Sequence, residues 1–194
     1  MCSRMLVVLG GLLGNGARTL ADQLAARFGL YHYDIDRKKI RHPTFDRRGD
    51  FRILQPRTDK DRVKVYENVC KDFPLLSKMY PDVVVDDTFH RDIPREYFLS
   101  EARKYYTPVV FVWIESDEAS VRVRLERIRQ AGKIESVDGA LRRREKAHAK
   151  QQPFPPATPI FFHRTSGKEG IAAQQIADQK ISALWELIQE HAHS

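Results

Sequence analysis

The sequence predicts an α/β protein, a three-layer, doubly wound parallel sheet with helices on both faces. Three observations carry that prediction. Short apolar runs (Leu6–Leu9, Val83–Val85, Val109–Ile114) alternate with longer segments of helical spacing, as in parallel sheets buried on both sides. A glycine-rich turn joins the first run to the first helix. Two acids, Asp86 and Asp87, tip the valine run, at the edge where open α/β sheets receive ligands.

The elements follow in order. Strand Leu6–Leu9 enters Gly11, Gly14 and Gly16, and a helix from Thr19 to Phe28 carries Leu20, Leu24 and Phe28 on one face before Gly29 stops it. Leu30–Tyr33 is a short strand ending in Asp34-Ile35-Asp36, and Arg37–Arg57 is a basic, turn-rich loop. Asp59–Leu76 has the period of one helix burying Val63, Tyr66, Val69, Cys70 and Phe73. The acid-tipped strand precedes a helix at Arg95–Tyr105, the strand Val109–Ile114 and an arginine-rich helix at Glu118–Gln130. A polar helix at Ser136–Lys150, a proline-rich connector at Pro153–Pro159, a strand at Ile160–His163 and a helix at Gly170–His191 complete the chain. Trp113 and Trp185, the latter beside Ile181 and Ile188, are expected in the core. One domain is expected over residues 1–194, with a lid over 122–155.

Composition narrows the function classes. With 42% hydrophobic and 30% charged residues, the 194-residue chain can bury an adequate core, and its net charge of +7 points to an anionic partner. Two cysteines, Cys2 and Cys70, predict no structural disulfide and favour a reducing cytoplasm. Met1–Ala17 has the outline of a signal peptide, but the strand–loop–helix pattern accounts for it better. No run is apolar enough for a membrane span, and the histidines show no zinc-ligand spacing.

The glycine-rich turn carries the most chemistry. Strand, turn and helix N-terminus form the arrangement that holds phosphates on backbone N–H groups. The usual pattern is G-x-x-x-x-G-K-[ST]. Gly11 and Gly16 match it, with Gly14 and Asn15 between them, but Ala17 stands in the lysine position and Arg18 in the hydroxyl position. Sliding the alignment by one residue makes Arg18-Thr19 the lysine–hydroxyl pair, at the cost of both framing glycines; the glycine register is preferred because only glycine supplies that geometry. Arg18 then donates as a planar fork where an ammonium would have been compact.

Three further groups join the turn. Asp86 and Asp87 stand at the strand edge beside it, where a carboxylate can hold a hydrated cation. Asp34 and Asp36, followed by Arg37 and Arg41, combine acids that can accept a hydroxyl proton with cations that can hold an anion; Asp36 is the preferred base and Asp34 its competitor. Arg122, Arg124, Arg127 and Arg129 space two pairs along one helix, and Arg124 and Arg127 are selected as phosphate-facing. A solvated helix face paired with Glu118 and Glu126 accounts for the same spacing.

Together, Gly11-x-x-Gly14-x-Gly16-x-x-Thr19-Leu20-Ala21, Tyr33-Asp34-x-Asp36-Arg37 and Val83-Val84-Val85-Asp86-Asp87-Thr88-Phe89-x-Arg91 resemble the P-loop kinases of the nucleoside-kinase-like group. The similarity is greatest to the small ATP-binding gluconokinase-like, zeta-toxin-like, chloramphenicol-phosphotransferase-like and polynucleotide-kinase-like proteins. It extends over nearly the whole chain, although only the glycine- and acid-centred motifs are specific. The resemblance implies ATP with Mg²⁺, and transfer of the γ-phosphoryl group to a hydroxyl or phosphate of a small molecule or nucleotide. It implies phosphate contacts from Gly11, Gly14, Asn15, Gly16, Ala17, Arg18 and Thr19. The candidate catalytic groups are Asp36, Arg18, Arg124 and Arg127, with Asp86 at the metal directly or through water and Asp34, Arg37, Arg41, Asp87 and Arg91 toward the acceptor; Ala17 and Arg18 depart from the family's pattern. Thr165-Ser166-Gly167 is placed like the loop against the adenine base.

Three functions follow. The first is a kinase of a small anionic or hydroxylated substrate in which an arginine replaces the missing lysine. The second is a pseudokinase acting through partner contacts, since Ala17 removes a preorganised cation worth several kcal/mol, on the order of what one electrostatic donor contributes. The third, less favoured, is a nucleic-acid 5′-end kinase or binder, suggested by the basic runs at Arg37–Arg41 and Arg142–Arg144.

Overall fold

Met5–Gly11 is apolar without interruption and forms strand β1, every residue of which is buried because it lies mid-sheet with helices over both faces. The computed structural model describes residues 4–36, 58–154, 160–165 and 171–193, with backbone alone over 160–165, 171–177 and 191–193. Strands β2 (Tyr31–Tyr33), β3 (Asp82–Asp87), β4 (Val109–Ser116) and β5 (Ile160–Thr165) complete a sheet of order β2-β3-β1-β4-β5, parallel throughout. Helices α1 (Ala17–Phe28), α2 (Asp59–Cys70), α3 (Phe73–Met79), α4 (Asp92–Ala102), α5 (Glu118–Gln130), α6 (Val137–His148) and α7 (Ile171–His193) make the connections and the closing segment.

Alternation along β1 builds both halves of the core. Val7 and Leu9 face Leu20 and Leu24 of α1 and Ile181, Leu184 and Ile188 of α7. Leu6 and Val8 face Val65, Tyr66 and Val69 of α2 and Phe98 and Leu99 of α4. Each fully buried aliphatic side chain contributes roughly 1.5–3 kcal/mol, so the two layers fix strand register before any polar contact is counted. A third cluster (Val121, Leu125, Ile134, Ala140, Leu141) joins α5 to α6, with Leu13 of the glycine-rich turn packed against it.

Several expectations shift by local chemistry. The helix expected over Asp59–Leu76 is two, because Pro74 cannot donate to the Cys70 carbonyl and restarts the chain as α3. Thr58 and Asp61 cap α2 reciprocally, which turns Arg62 and Val65 inward and leaves Val63 half-buried. Helix α4 starts at Asp92, three residues before the expected Arg95, with Pro94 accommodated in its first turn. Helix α1 starts at Ala17 because left-handed Gly16 (φ 92°) is its N-cap, and it stops at left-handed Gly29 (φ 76°) as expected. Trp113 is buried as expected, whereas Trp185 is half-buried, stacked on Phe28 with ring centroids 4.6 Å apart. Cys70 is a free, buried thiol, and burial pushes its pKa up to about 12. Arg37, Arg41 and the rest of the expected loop, the end of the proline connector and Ser166-Gly167 lie outside the described residues. No helix among the described residues is long and apolar enough to cross a membrane.

Candidate nucleotide site at the sheet edge

Parallel register brings the sequence motifs together. Leu9 pairs with Asp86 and Gly10 with Asp87, while Gly11 pairs with Ile114, so the glycine-rich turn leaves β1 between the acids of β3 and the end of β4. A side chain at Gly11 would be crowded: a Cβ would stand 3.2 Å from the Ile114 carbonyl oxygen and 3.3 Å from Asn15 Cβ. Gly14 is left-handed (φ 85°), and a Cβ there would stand 3.0 Å from Val121 Cγ1. No side chain caps Gly16 and no acid lies in the first turn of α1. The N–H groups of Ala17, Arg18 and Thr19 therefore open the helix without intrahelical acceptors, at its positive end. These features fit a phosphate group.

The turn is held from its carbonyl side. Buried Asn15 donates Nδ2–H to the Ile114 carbonyl and accepts at Oδ1 from Arg144 Nη1 at 2.6 Å; the same nitrogen donates to the Leu13 carbonyl at 3.1 Å. Arg124 Nη1 donates to the Gly14 and Asn15 carbonyls at 3.1 and 3.2 Å and to Ser116 Oγ at 2.9 Å. Two guanidinium groups from α5 and α6 thus grip three successive carbonyls. Burial lowers the pKa of each; Asp117 opposes that at Arg124 and Glu118 at Arg144, but both stay cationic. Arg124, expected to face phosphate, engages the loop backbone at these carbonyls. Arg127 stands exposed one turn on, and Arg122 and Arg129 pair with Glu118 and Glu126, as the solvated-face reading expects.

Arg18 reaches the opposite way. Its guanidinium pairs with Asp34 and lies 3.6 Å from Asp36. Burial opposes its charge, but Asp34, Asp86 and Asp36 outweigh burial and hold its pKa above the ordinary arginine value. The Asp36 N–H donates to Asp34 Oδ1 at 3.0 Å, which folds the two acids into one turn at the end of β2.

The acids of β3 diverge. Asp86 Oδ1 lies 2.6 Å from His32 Nε2, and His32 Nδ1 lies 2.8 Å from Asp22 Oδ1. Burial disfavours charge on His32, but the two carboxylates outweigh it and raise its pKa. Asp87 turns into the core, accepting from Tyr66 Oη at 3.0 Å and from the Thr88 N–H at 2.6 Å, with Arg62 Nη1 at 3.7 Å. Arg62 also donates to Thr88 Oγ1 at 2.8 Å, and Arg91 donates to Asp59 Oδ2 at 2.7 Å. His90 is buried, and its Nδ1 has no hydrogen-bond partner among the described residues. Burial and the cations Arg62 and Arg91 bring its pKa down to about 4.

The structure thus assembles Gly11, Gly14, Asn15, Gly16, Ala17, Arg18, Thr19, Asp34, Asp36 and Asp86 at one edge, with Asp87 and Arg91 behind. Sequence reasoning missed Arg144, Arg62, His32 and His90. Arg144 was visible only as part of a basic run, and the other three had no spacing signal.

Solved structures share this architecture. A sugar kinase from Janibacter sp. superposes with a TM-score of 0.66 at 16% identity, over 96% of this chain and 95% of that one. A gluconokinase from Sinorhizobium meliloti gives 0.62 at 16% identity over 100% of both chains. The chain has the fold of the P-loop kinases. Chaetomium thermophilum Kti12, solved with ADP-AlF3, gives 0.54 at 18% identity over 93% of this chain and 97% of that one. No protein-family model matches the sequence, and no curated protein matches it. A P-loop kinase fold accounts for the five-strand order and for the turn at the end of β1.

The donors for a divalent cation are where this P-loop departs from its usual chemistry. The hydroxyl position holds Arg18, and Asp86 shares one oxygen with His32. Among the described residues no three His, Cys, Asp or Glu side chains are grouped to hold a metal. The backbone fits phosphate, but arginine replaces the side-chain hydroxyl that usually completes the magnesium site.

Proposed function

We propose that this chain is a phosphotransferase that binds a nucleoside triphosphate on the Gly11–Thr19 loop and passes the terminal phosphoryl group to a hydroxyl of a small acceptor. The observation that supports it is the reach of Arg18 from the first turn of α1 to Asp34 and Asp36. It sets a cation and an acid pair beside the same phosphate cradle. Asp36, with its side chain 55% exposed, takes the acceptor's hydroxyl proton as that oxygen bonds the γ-phosphorus and the nucleoside diphosphate leaves. Asp34 orients Arg18, whose charge offsets that of the transferring group. Two of the similar structures are named as a sugar kinase and a gluconokinase, which favours a polyhydroxylated acceptor.

A second reading has its own observation. Ala17 leaves no ammonium group at the loop, and Asp34 already neutralises Arg18, which favours a nucleotide binder acting through partner contacts without transfer. Calorimetric titration with ATP, followed by a phosphoryl-transfer assay over sugars, sugar acids and polyols, separates the two. Binding with transfer that Asp36→Asn abolishes supports the first. Binding without transfer, restored by Ala17→Lys, supports the second. Absence of binding by both wild type and Ala17→Lys refutes both.

A further inference from the structure

We infer that this loop binds polyphosphate without a divalent cation, because Arg18 takes the sequence position of the metal-binding hydroxyl and its guanidinium is tied to Asp34 and Asp36. The inference rests on the nucleotide-binding reading above and deepens it. In G-x-x-x-x-G-K-[ST] the last residue supplies a neutral oxygen to the metal, and its hydroxyl points into the phosphate cradle. Here the same position carries a fixed positive charge with donors only. A guanidinium has no lone pair to offer a cation, so residue 18 cannot ligate one.

The surrounding acids complete the argument. Asp34 pairs with Arg18, and Asp36 lies 3.6 Å from it. Asp86, the remaining carboxylate at the edge, keeps one oxygen on His32 Nε2 at 2.6 Å, and His32 is held on its far side by Asp22 at 2.8 Å. Each acid that could collect a metal therefore faces a resident nitrogen donor. Thr19, the nearest hydroxyl on α1, lies one residue on, rotated about 100° around the helix from position 18, and is exposed. Arginine is suited to the substituted role: its planar fork matches phosphate oxygens two at a time, and it carries its charge at every physiological pH. The lysine and the metal of the usual loop are thus both replaced by one guanidinium.

The test is calorimetric titration of the full chain with ATP in excess magnesium chloride and again in excess EDTA. Wild-type dissociation constants should agree within about twofold between the two buffers. Arg18→Ala should weaken binding by about tenfold or more in both, the loss expected of one charge-assisted contact. Arg18→Ser, which restores a hydroxyl, should bind at least about tenfold more weakly in EDTA than in magnesium. The Arg18 side chain is 48% exposed, so these variants leave the core intact, and circular dichroism with thermal unfolding verifies that they fold. A wild type that EDTA weakens by about tenfold or more overturns the inference while leaving nucleotide binding standing. If wild type binds in neither buffer, the nucleotide-binding reading fails separately. Ala17→Lys then carries the comparison: chelator-resistant binding supports the inference, and chelator-sensitive or absent binding overturns it.

Discussion

Asn15→Ala should cost about 2–3 kcal/mol of folding stability, and the estimate follows from two bonds. Asn15 is 3% exposed, so neither bond competes with bulk water there. Losing the donor to the Ile114 carbonyl removes about 1 kcal/mol and leaves a buried acceptor short of its partner. Losing the acceptor of Arg144 removes a charge-assisted bond of 2.6 Å, worth about 1.5–3 kcal/mol, and the lower end applies because Arg144 is only half-buried. Urea denaturation measures the effect as a shift in midpoint at constant m-value. Arg144→Ala and the double variant close a cycle, and a coupling of about 1 kcal/mol is expected because both residues hold the same turn. A loss below about half a kcal/mol, or additive single effects, would refute the view that Asn15 and Arg144 form one clamp.

Three other outcomes follow from the core and the acid-tipped strand. Gly10→Ala places a Cβ 2.6 Å from Phe111 Cζ and 3.0 Å from Trp113 Cε3, so overpacking should cost about 1–3 kcal/mol and lower the melting temperature. Arg62→Ala should destabilise by about 3–5 kcal/mol, since it leaves the buried Asp87 carboxylate without its guanidinium; Arg62→Met should do less harm if packing, and not charge, dominates, and denaturation of both decides. His90 has a folded pKa of about 4 against 6.5 for a free imidazole, so both states are neutral above 6.5 and the contribution there is nil. As pH falls below 6.5 the unfolded chain takes the proton first, and stability drops by up to about 3 kcal/mol by pH 4. Wild type should therefore lose more stability than His90→Gln between pH 6.5 and 4, and parallel curves would show that His90 is not held neutral.

The parts legible in the sequence were those governed by periodicity and backbone geometry. Leu6–Leu9, Val83–Val85 and Val109–Ile114 announced buried parallel strands because burial on both faces leaves no polar position to interrupt them. Gly14 and Gly16 announced the turn because left-handed backbone excludes most other residues. Side-chain partners were not legible. Arg124 and Arg144 sit in sequence as members of basic runs, and nothing in their spacing tells whether a guanidinium points to solvent, phosphate or a carbonyl. Only the docking of α5 and α6 on the turn, through Leu13, Val121 and Leu125, decides it. His32 was equally silent, because its two carboxylates come from α1 and β3, ten residues before it and fifty-four after.

The carbonyl clamp and the lost lysine belong together. A P-loop must keep its N–H groups convergent while phosphate repulsion and solvent favour other orientations, and a peptide has two ends by which it can be fixed. Where a lysine and a metal draw phosphate in from the front, the anion itself helps order the loop. With Ala17 in front, that help is absent until nucleotide arrives. Arg124 and Arg144 fix the same peptides from behind, at Leu13, Gly14 and Asn15, so the cradle is already formed. Preorganisation of this kind lowers the ordering cost of binding and leaves the front of the loop to Arg18 alone. The clamp arginines should then affect nucleotide affinity through the free protein. Arg144→Ala should weaken ATP binding with a larger unfavourable binding entropy, whereas Arg18→Ala should weaken it through enthalpy. Equal entropic signatures in calorimetry for the two variants would show that both arginines act on the phosphate directly.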